Sequence, residues 1–146
     1  MKKRFNNWKP PVIKHGKLTK WNWVVYHPNK LKLGKFTDIG AFSFLNAKHG
    51  IIIKNNVQIG SGVKIYSVDT ISNKSGKVVL EKNCKIGANS VILPNTQIGE
   101  NSVIGACSFV PYGKIIPPNQ IWAGTPAIKI GIIKNGKRKY CFFRVT

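Results

Sequence analysis

Carboxylates are scarce in this chain, with 4 Asp and Glu against 24 Lys and Arg in 146 residues, a formal net charge of +20. Such an imbalance attracts polyanions, so nucleic acid, anionic lipid and phosphate-bearing cofactors are all admitted as partners. It selects none of them, because a solvated lysine coat has the same balance. Cysteine is sparse too. Cys84, Cys107 and Cys141 are odd in number and widely spaced, which fits neither a paired disulfide framework nor a zinc-finger spacing; reduced thiols in a cytoplasm are the simpler reading. No run of 18 apolar residues occurs, and the opening "MKKRFNNWKPPVIKHGK" has the charge of a signal peptide without an apolar segment behind it. A soluble cytoplasmic protein is expected. Helices are expected to be rare, since the 3.6-residue period is missing over most of the chain. A hydrophobic fraction of 42% and this length nevertheless suit one domain with its own core.

What the chain has instead is a period of six. Leu33, Ile39 and Leu45 share one phase, Ile53, Ile59 and Ile65 a second, and Leu80, Ile86, Ile92, Ile98, Ile104 and Val110 a third. Gly34, Gly40, Gly60, Gly87, Gly99 and Gly105 each follow an anchor directly. The residue four past the anchor is small or β-branched at Thr37, Ser43, Val57, Val63, Ser90, Thr96, Ser102 and Ser108. These columns describe a chain that winds. Each hexad supplies a short strand with its anchor inward and a turn where glycine takes backbone angles denied to other residues, and three hexads close a triangular coil. Successive coils stack as parallel strands about 4.7–4.9 Å apart. Only the stack buries the anchors, so stability belongs to several coils together.

From about residue 33 to 130, and most specifically through "KIGANSVILPNTQIGENSVIGACSFV" and "IPPNQIWAGTPAIKI", the chain resembles the hexapeptide-repeat acyltransferases. The resemblance implies an all-β, left-handed parallel β-helix. It also implies a homotrimer, acetyl-CoA lying along a groove between coils, and an acceptor that meets it at the subunit boundary.

The period breaks twice. In "LNAKHGIII" Leu45 and Ile53 lie eight apart, and in "IYSVDTISNKSGKVVL" Ile65 and Leu80 lie fifteen apart around the turn-forming "SNKSG". A loop leaving the coil at about residues 66–79 is expected there, and loops on rigid scaffolds commonly carry function. The resulting organisation is a basic, aromatic arm over residues 1–32, coils over 33–116, and a proline-rich exit over 117–146. That exit ends in a hairpin turned at Asn135-Gly136. The arm is read as a cover for the first coil, which would otherwise show unpaired edges, or as a subunit contact.

Acyl transfer from a thioester needs a base for the acceptor and donors for the developing oxyanion. Many relatives carry a histidine in the middle loop, and here that loop has none. The candidates are His49, in the first break, and Asp69, near the place of the family histidine; Asn46, Tyr66 and Ser67 are candidate acceptor contacts. An unperturbed imidazole, near pKa 6.5, suits a base better than a carboxylate near 3.9 unless burial raises the latter. His15 and His27 are read as surface residues of the arm. For acetyl-CoA, small residues Gly87, Ala88, Gly105 and Ala106 are expected along the pantetheine path, with Lys129 and secondarily Lys114 near the nucleotide. No metal is expected, because His49 is the one histidine within the coils. The acceptor implied is a sugar, either a sugar nucleotide or a surface-glycan precursor in lipopolysaccharide or capsule biosynthesis. The alternatives are a basic trimer that binds nucleic acid or an anionic membrane, and a catalytically silent β-helix. Nucleic acid is the less favoured partner, and peripheral membrane contact stays open.

Overall fold

The computed structural model describes residues 5–141; residues 1–4 of the expected arm and 142–146 of the expected exit lie outside the described residues. The chain winds through five coils, each contributing one strand to each of three sheets. The first coil holds β1 (Val24–Tyr26), β2 (Leu31–Leu33) and β3 (Asp38–Ile39); the second holds β4 (Phe44–Asn46), β5 (Ile51–Ile53) and β6 (Gln58–Ile59). The third has β7 (Lys64–Tyr66), then a two-stranded hairpin of β8 (Val68–Asp69) and β9 (Lys74–Ser75), then β10 (Val78–Leu80) and β11 (Lys85–Ile86). Next come β12 (Val91–Ile92), β13 (Gln97–Ile98) and β14 (Val103–Ile104), and last β15 (Phe109–Val110), β16 (Ile115–Ile116) and β17 (Gln120–Gly124). β18 (Ala127–Lys134) turns back antiparallel on β17, and β19 (Lys137–Tyr140) on β18, with Lys134 opposite Lys137 across Asn135-Gly136.

Register follows the anchors. Leu45 pairs with Ile65, and Ile92 with Val110, on the first sheet; Leu33, Ile53, Leu80, Ile98 and Ile116 line up on the second; Ile39, Ile59, Ile86 and Ile104 line up on the third. Every expected anchor except the half-buried Leu33 is buried, and Leu33 packs on the same core from the edge. Full burial of one such side chain is worth about 1.5–3 kcal/mol, so the columns carry the fold. The prism is longer than the hexads announced. β1 already pairs with β4 through Val25 and Leu45, so the coil starts inside the segment expected to be arm. At the other end, β17 pairs in parallel with β14, past the expected limit at 116. Among the described residues the only helix is a single 3-10 turn, Pro28–Lys30, and no helix is long and apolar enough to cross a membrane.

The corners correct one expectation. The glycine after the anchor does not supply the unusual backbone angle; that falls three residues past the anchor. There φ is positive at Phe36, Phe42, Asn56, Gly62, Asn83, Asn89, Asn95, Asn101, Cys107, Gly113 and Asn119. Asparagine dominates this column because its short amide tolerates the left-handed region better than most side chains. The glycines answer a different need, the close passage of the next coil. A Cβ on Gly60 would stand 2.6 Å from the Ala88 nitrogen, and one on Gly87 would collide with the Ala106 nitrogen. Buried serines four past the anchor stitch coils together, whereas Thr37 and Thr96 donate to carbonyls of their own coil. Ser102 Oγ donates to the Pro117 carbonyl at 2.7 Å and accepts the Gln120 N–H at 3.0 Å, and Ser43 and Ser90 donate in the same way to the Gly60 and Gly105 carbonyls.

Candidate functional site

All the extra residues leave the prism at one edge, the corner between the first and second sheets. The connections there are His27–Lys30 in the first coil, Ala47–Gly50 in the second and Ser67–Lys77 in the third. The corner therefore brings His49 and the 67–77 loop onto adjacent coils. His49 is exposed, and its N–H donates to Ser67 Oγ at 2.9 Å. Ser67 in turn donates its hydroxyl to the Asn46 carbonyl at 2.7 Å and its N–H to the same oxygen at 2.9 Å. Ser67 is fully buried. A hydroxyl so placed cannot hold an acceptor, and its place is to fix the backbone of His49 to the loop. Asn46 turns its side-chain oxygen to the Lys48 N–H at 3.2 Å. Tyr66 continues a tilted ring ladder with Phe44 and Tyr26, at centroid distances of 5.7 and 5.2 Å.

Asp69 accepts the Ser72 hydroxyl at 2.6 Å and the Ile71 N–H at 3.0 Å, closing the tip of the loop. The Ser72 hydroxyl, helped by the Ile71 and Ser72 backbone bonds and the nearby Lys74 charge, holds its carboxyl below the ordinary carboxylate range. A carboxylate held ionised in this way is a poor base and a good acceptor. Lys74 lies 4.8 Å over the Tyr112 ring, which ties the loop to the last coil. His15 and His27, expected on the surface of the arm, belong to this corner as well. The His15 Nδ1 accepts the His27 N–H at 2.9 Å, and the His15 ring packs edge-on against Tyr26. His15 is exposed and His27 half-buried, and they stand beside this corner because the first coil begins before residue 33.

The third sheet carries the second feature, a groove of about 350 Å³ running along the coils. Gly60, Gly87, Gly105 and Ala106 line it, with Lys85 and Arg138 as its cations. Three of the four expected pantetheine residues thus share one groove. Ala88 does not line it, and stands half-buried with its carbonyl accepting the Cys107 N–H at 2.8 Å. Neither lysine lines it. Lys114 Nζ stacks 4.6 Å over Trp122, a ring that packs on the core, and Lys129 is exposed on β18 opposite Trp122. Arg138 takes that place instead, carried in by the fold-back of β19. Its sequence signal was the Asn135-Gly136 hairpin, which sets Arg138 opposite Ile133. Cys84 is buried, and burial pushes its thiol far up, so it is no nucleophile. No cluster of three or more potential metal ligands occurs among the described residues.

Residues 77–111 match the family described as bacterial transferase hexapeptide (six repeats). Galactoside O-acetyltransferase of Escherichia coli is 33% identical over 136 residues, covering 83% of this chain and 66% of that protein. Among solved structures, a maltose O-acetyltransferase from Clostridium difficile superposes with TM-score 0.70 at 28% identity, over 78% of this chain and 65% of the other. The chain is a hexapeptide-repeat acyltransferase family member. Its coil is accordingly the left-handed parallel β-helix of that family. A point mutant of AntD, an N-acyltransferase from Bacillus cereus, solved with dTDP and coenzyme A, gives TM-score 0.66 at 26% identity over 81% of this chain and 80% of its own. Three further curated relatives are matched over only 33–44% of their length.

Proposed function

We propose that the protein transfers the acetyl group of acetyl-CoA to a hydroxyl or amine of a sugar, with each site shared between two copies in a homotrimer. One observation carries this reading. In a three-sided prism the corner between the first and second sheets stands opposite the third sheet, so the His49 corner and the glycine-lined groove of one copy face away from each other. They can cooperate only across an interface, where the corner of one copy meets the groove of the next.

The groove suits the extended pantetheine of a CoA thioester. Gly60, Gly87 and Gly105 let successive coils pass closely and so give the groove a floor without projecting side chains, and Arg138 offers a planar fork of donors to phosphate. Acetyl-CoA, when bound, supplies an activated acyl carbon. His49, its backbone held by Ser67, takes the proton from the acceptor hydroxyl as that oxygen bonds to the acyl carbon, and returns it to the CoA thiolate that leaves when the C–S bond breaks. Asp69, kept ionised, accepts a hydrogen bond from a second acceptor hydroxyl or pairs with an ammonium, and so orients the sugar without acting as base. Tyr66 and Asn46 flank that position. Two of the relatives named above are a galactoside and a maltose O-acetyltransferase and the third is an N-acyltransferase solved with dTDP, which supports a sugar nucleotide or a cytoplasmic glycan precursor as acceptor.

His49→Ala is expected to lower kcat about 10²-fold, the usual share of a general base, with acetyl-CoA binding unchanged. Arg138→Glu is expected to weaken acetyl-CoA binding instead. Refolded together in equal amounts, the two inactive variants should recover about one site in four by random assortment, because each supplies the half the other lacks. An unchanged rate for His49→Ala removes the base. Absence of recovery from two folded variants removes the shared site. A thermal shift with a duplex oligonucleotide but none with acetyl-CoA would favour the polyanion-binding reading of the +20 charge.

A further inference from the structure

A second cleft, larger than the groove, opens at the N-terminal end of the prism, where the arm crosses the edges of the first coil. It encloses about 760 Å³, within the range of small-ligand sites. Its walls are indoles: Trp8, Trp21 and Trp23. Trp23 is buried and joins the core, and Trp8 is fixed by donating its ring N–H to the Thr37 carbonyl at 2.8 Å. Trp21 differs from both. It is 51% exposed, and Lys20 Nζ stands 5.7 Å over its ring. Asn7, Lys9 and Lys20 add amide and ammonium groups to the lining. Asn7, Lys9, Lys20 and Trp21 are exposed, so the cleft is open to solvent and a ligand can enter it.

We propose that this cleft is a binding site for an acidic saccharide, separate from the site of acyl transfer. A pyranose ring has an apolar face of C–H groups, polarised to meet the negative face of an indole, and an edge of hydroxyls that needs hydrogen-bonding partners. The cleft has the same division, with the exposed Trp21 indole beside the amide and ammonium groups of Asn7, Lys9 and Lys20. Those polar groups are exposed, and a saccharide edge exchanges their water for hydroxyl hydrogen bonds that an apolar ligand does not offer. Charge selects the acidic form, since two lysines line the cleft against one carboxylate, Asp38, within a chain of net charge +20. Asp38 also lines the groove of the third sheet, so the two sites adjoin at the first coil. The cleft nevertheless shares neither His49 nor Arg138 with the transfer site, and its occupancy is measured without acetyl-CoA.

The test is titration of the full chain with tri-galacturonate, maltotriose and the oligonucleotide (dT)6, followed by tryptophan fluorescence and calorimetry. Tri-galacturonate is expected to bind and perturb the fluorescence. Trp21→Ala is expected to weaken that binding at least tenfold and Lys20→Glu severalfold, with melting temperature and acetyl-CoA binding unchanged in both. Trp21 is half exposed, and Lys20→Glu gives a second reading that removes no ring. The proposal is overturned if tri-galacturonate does not bind, if both variants bind it like the wild type, or if maltotriose or (dT)6 binds more tightly.

Discussion

At the scale of single residues, the serine column shows how a side chain legible in sequence as merely small acquires a structural task. Ser102 is fully buried, and its hydroxyl serves a carbonyl and an N–H of the following coil at once. Ser102→Ala would remove both part-buried hydrogen bonds, at a cost of about 0.5–1.5 kcal/mol each. Urea denaturation should show a lower midpoint with an unchanged slope; an unchanged midpoint would mean that the coils do not rely on this bond. His49 and Asp69 were visible as candidates because each sits where the hexads fail. The division of labour proposed for them was not visible. It depends on Ser72 and Ile71 donating to Asp69 and on Ser67 fixing His49, contacts set by loop closure that no spacing along the chain reveals. Ser67 itself looked like an acceptor contact because serine often is one, and only its burial shows otherwise.

At the scale of elements, the coils were read from residue 33 onward, yet the pattern starts earlier. Val25, Leu33, Ile39, Leu45, Ile53, Ile59 and Ile65 run at spacings of eight, six and six, twice over. That is a 20-residue coil with two extra residues at the same corner each time, and a search for strict hexads misses its first anchor. The left-handed column was legible as well, in Asn83, Asn89, Asn95 and Asn101 six apart, but glycine drew the attention due to asparagine. Phe42 is the costly member of this column, with φ of 63° and 71% exposure. A bulky side chain in that region carries about 1–2 kcal/mol of strain, and one so exposed regains little by packing. Phe42→Asn should therefore raise stability by about 1 kcal/mol, read as a higher melting temperature of the isolated protein. A lower one would show that Phe42 is bound to something, for a strained and exposed aromatic persists only where it is used.

At the scale of the molecule, a coil of eighteen residues is the shortest path around the prism, as between β12 and β15, whereas longer coils bulge at the His49 corner. Shortening and lengthening therefore have unequal consequences. Excising Val68–Gly76 closes Ile65 to Leu80 from fifteen residues to six and joins Ser67 to Lys77, so the third coil becomes an ordinary one. Its strands keep their anchors, and a long loop is removed at little entropic loss. Excising Pro94–Thr96 from the fourth coil instead removes the corner between β12 and β13, where Asn95 turns the chain with positive φ, and leaves Ile92 and Ile98 three residues apart on a path with no slack. The first variant should melt cooperatively near the wild-type temperature with a parallel β-helical spectrum and no acyl transfer; the second should not fold cooperatively. If the loopless protein still transfers acetyl groups, Asp69 and its loop leave the site and the acceptor is held by the His49 corner alone. If it fails to fold, the loop is part of the scaffold, and the equation of broken period with function does not hold for this chain.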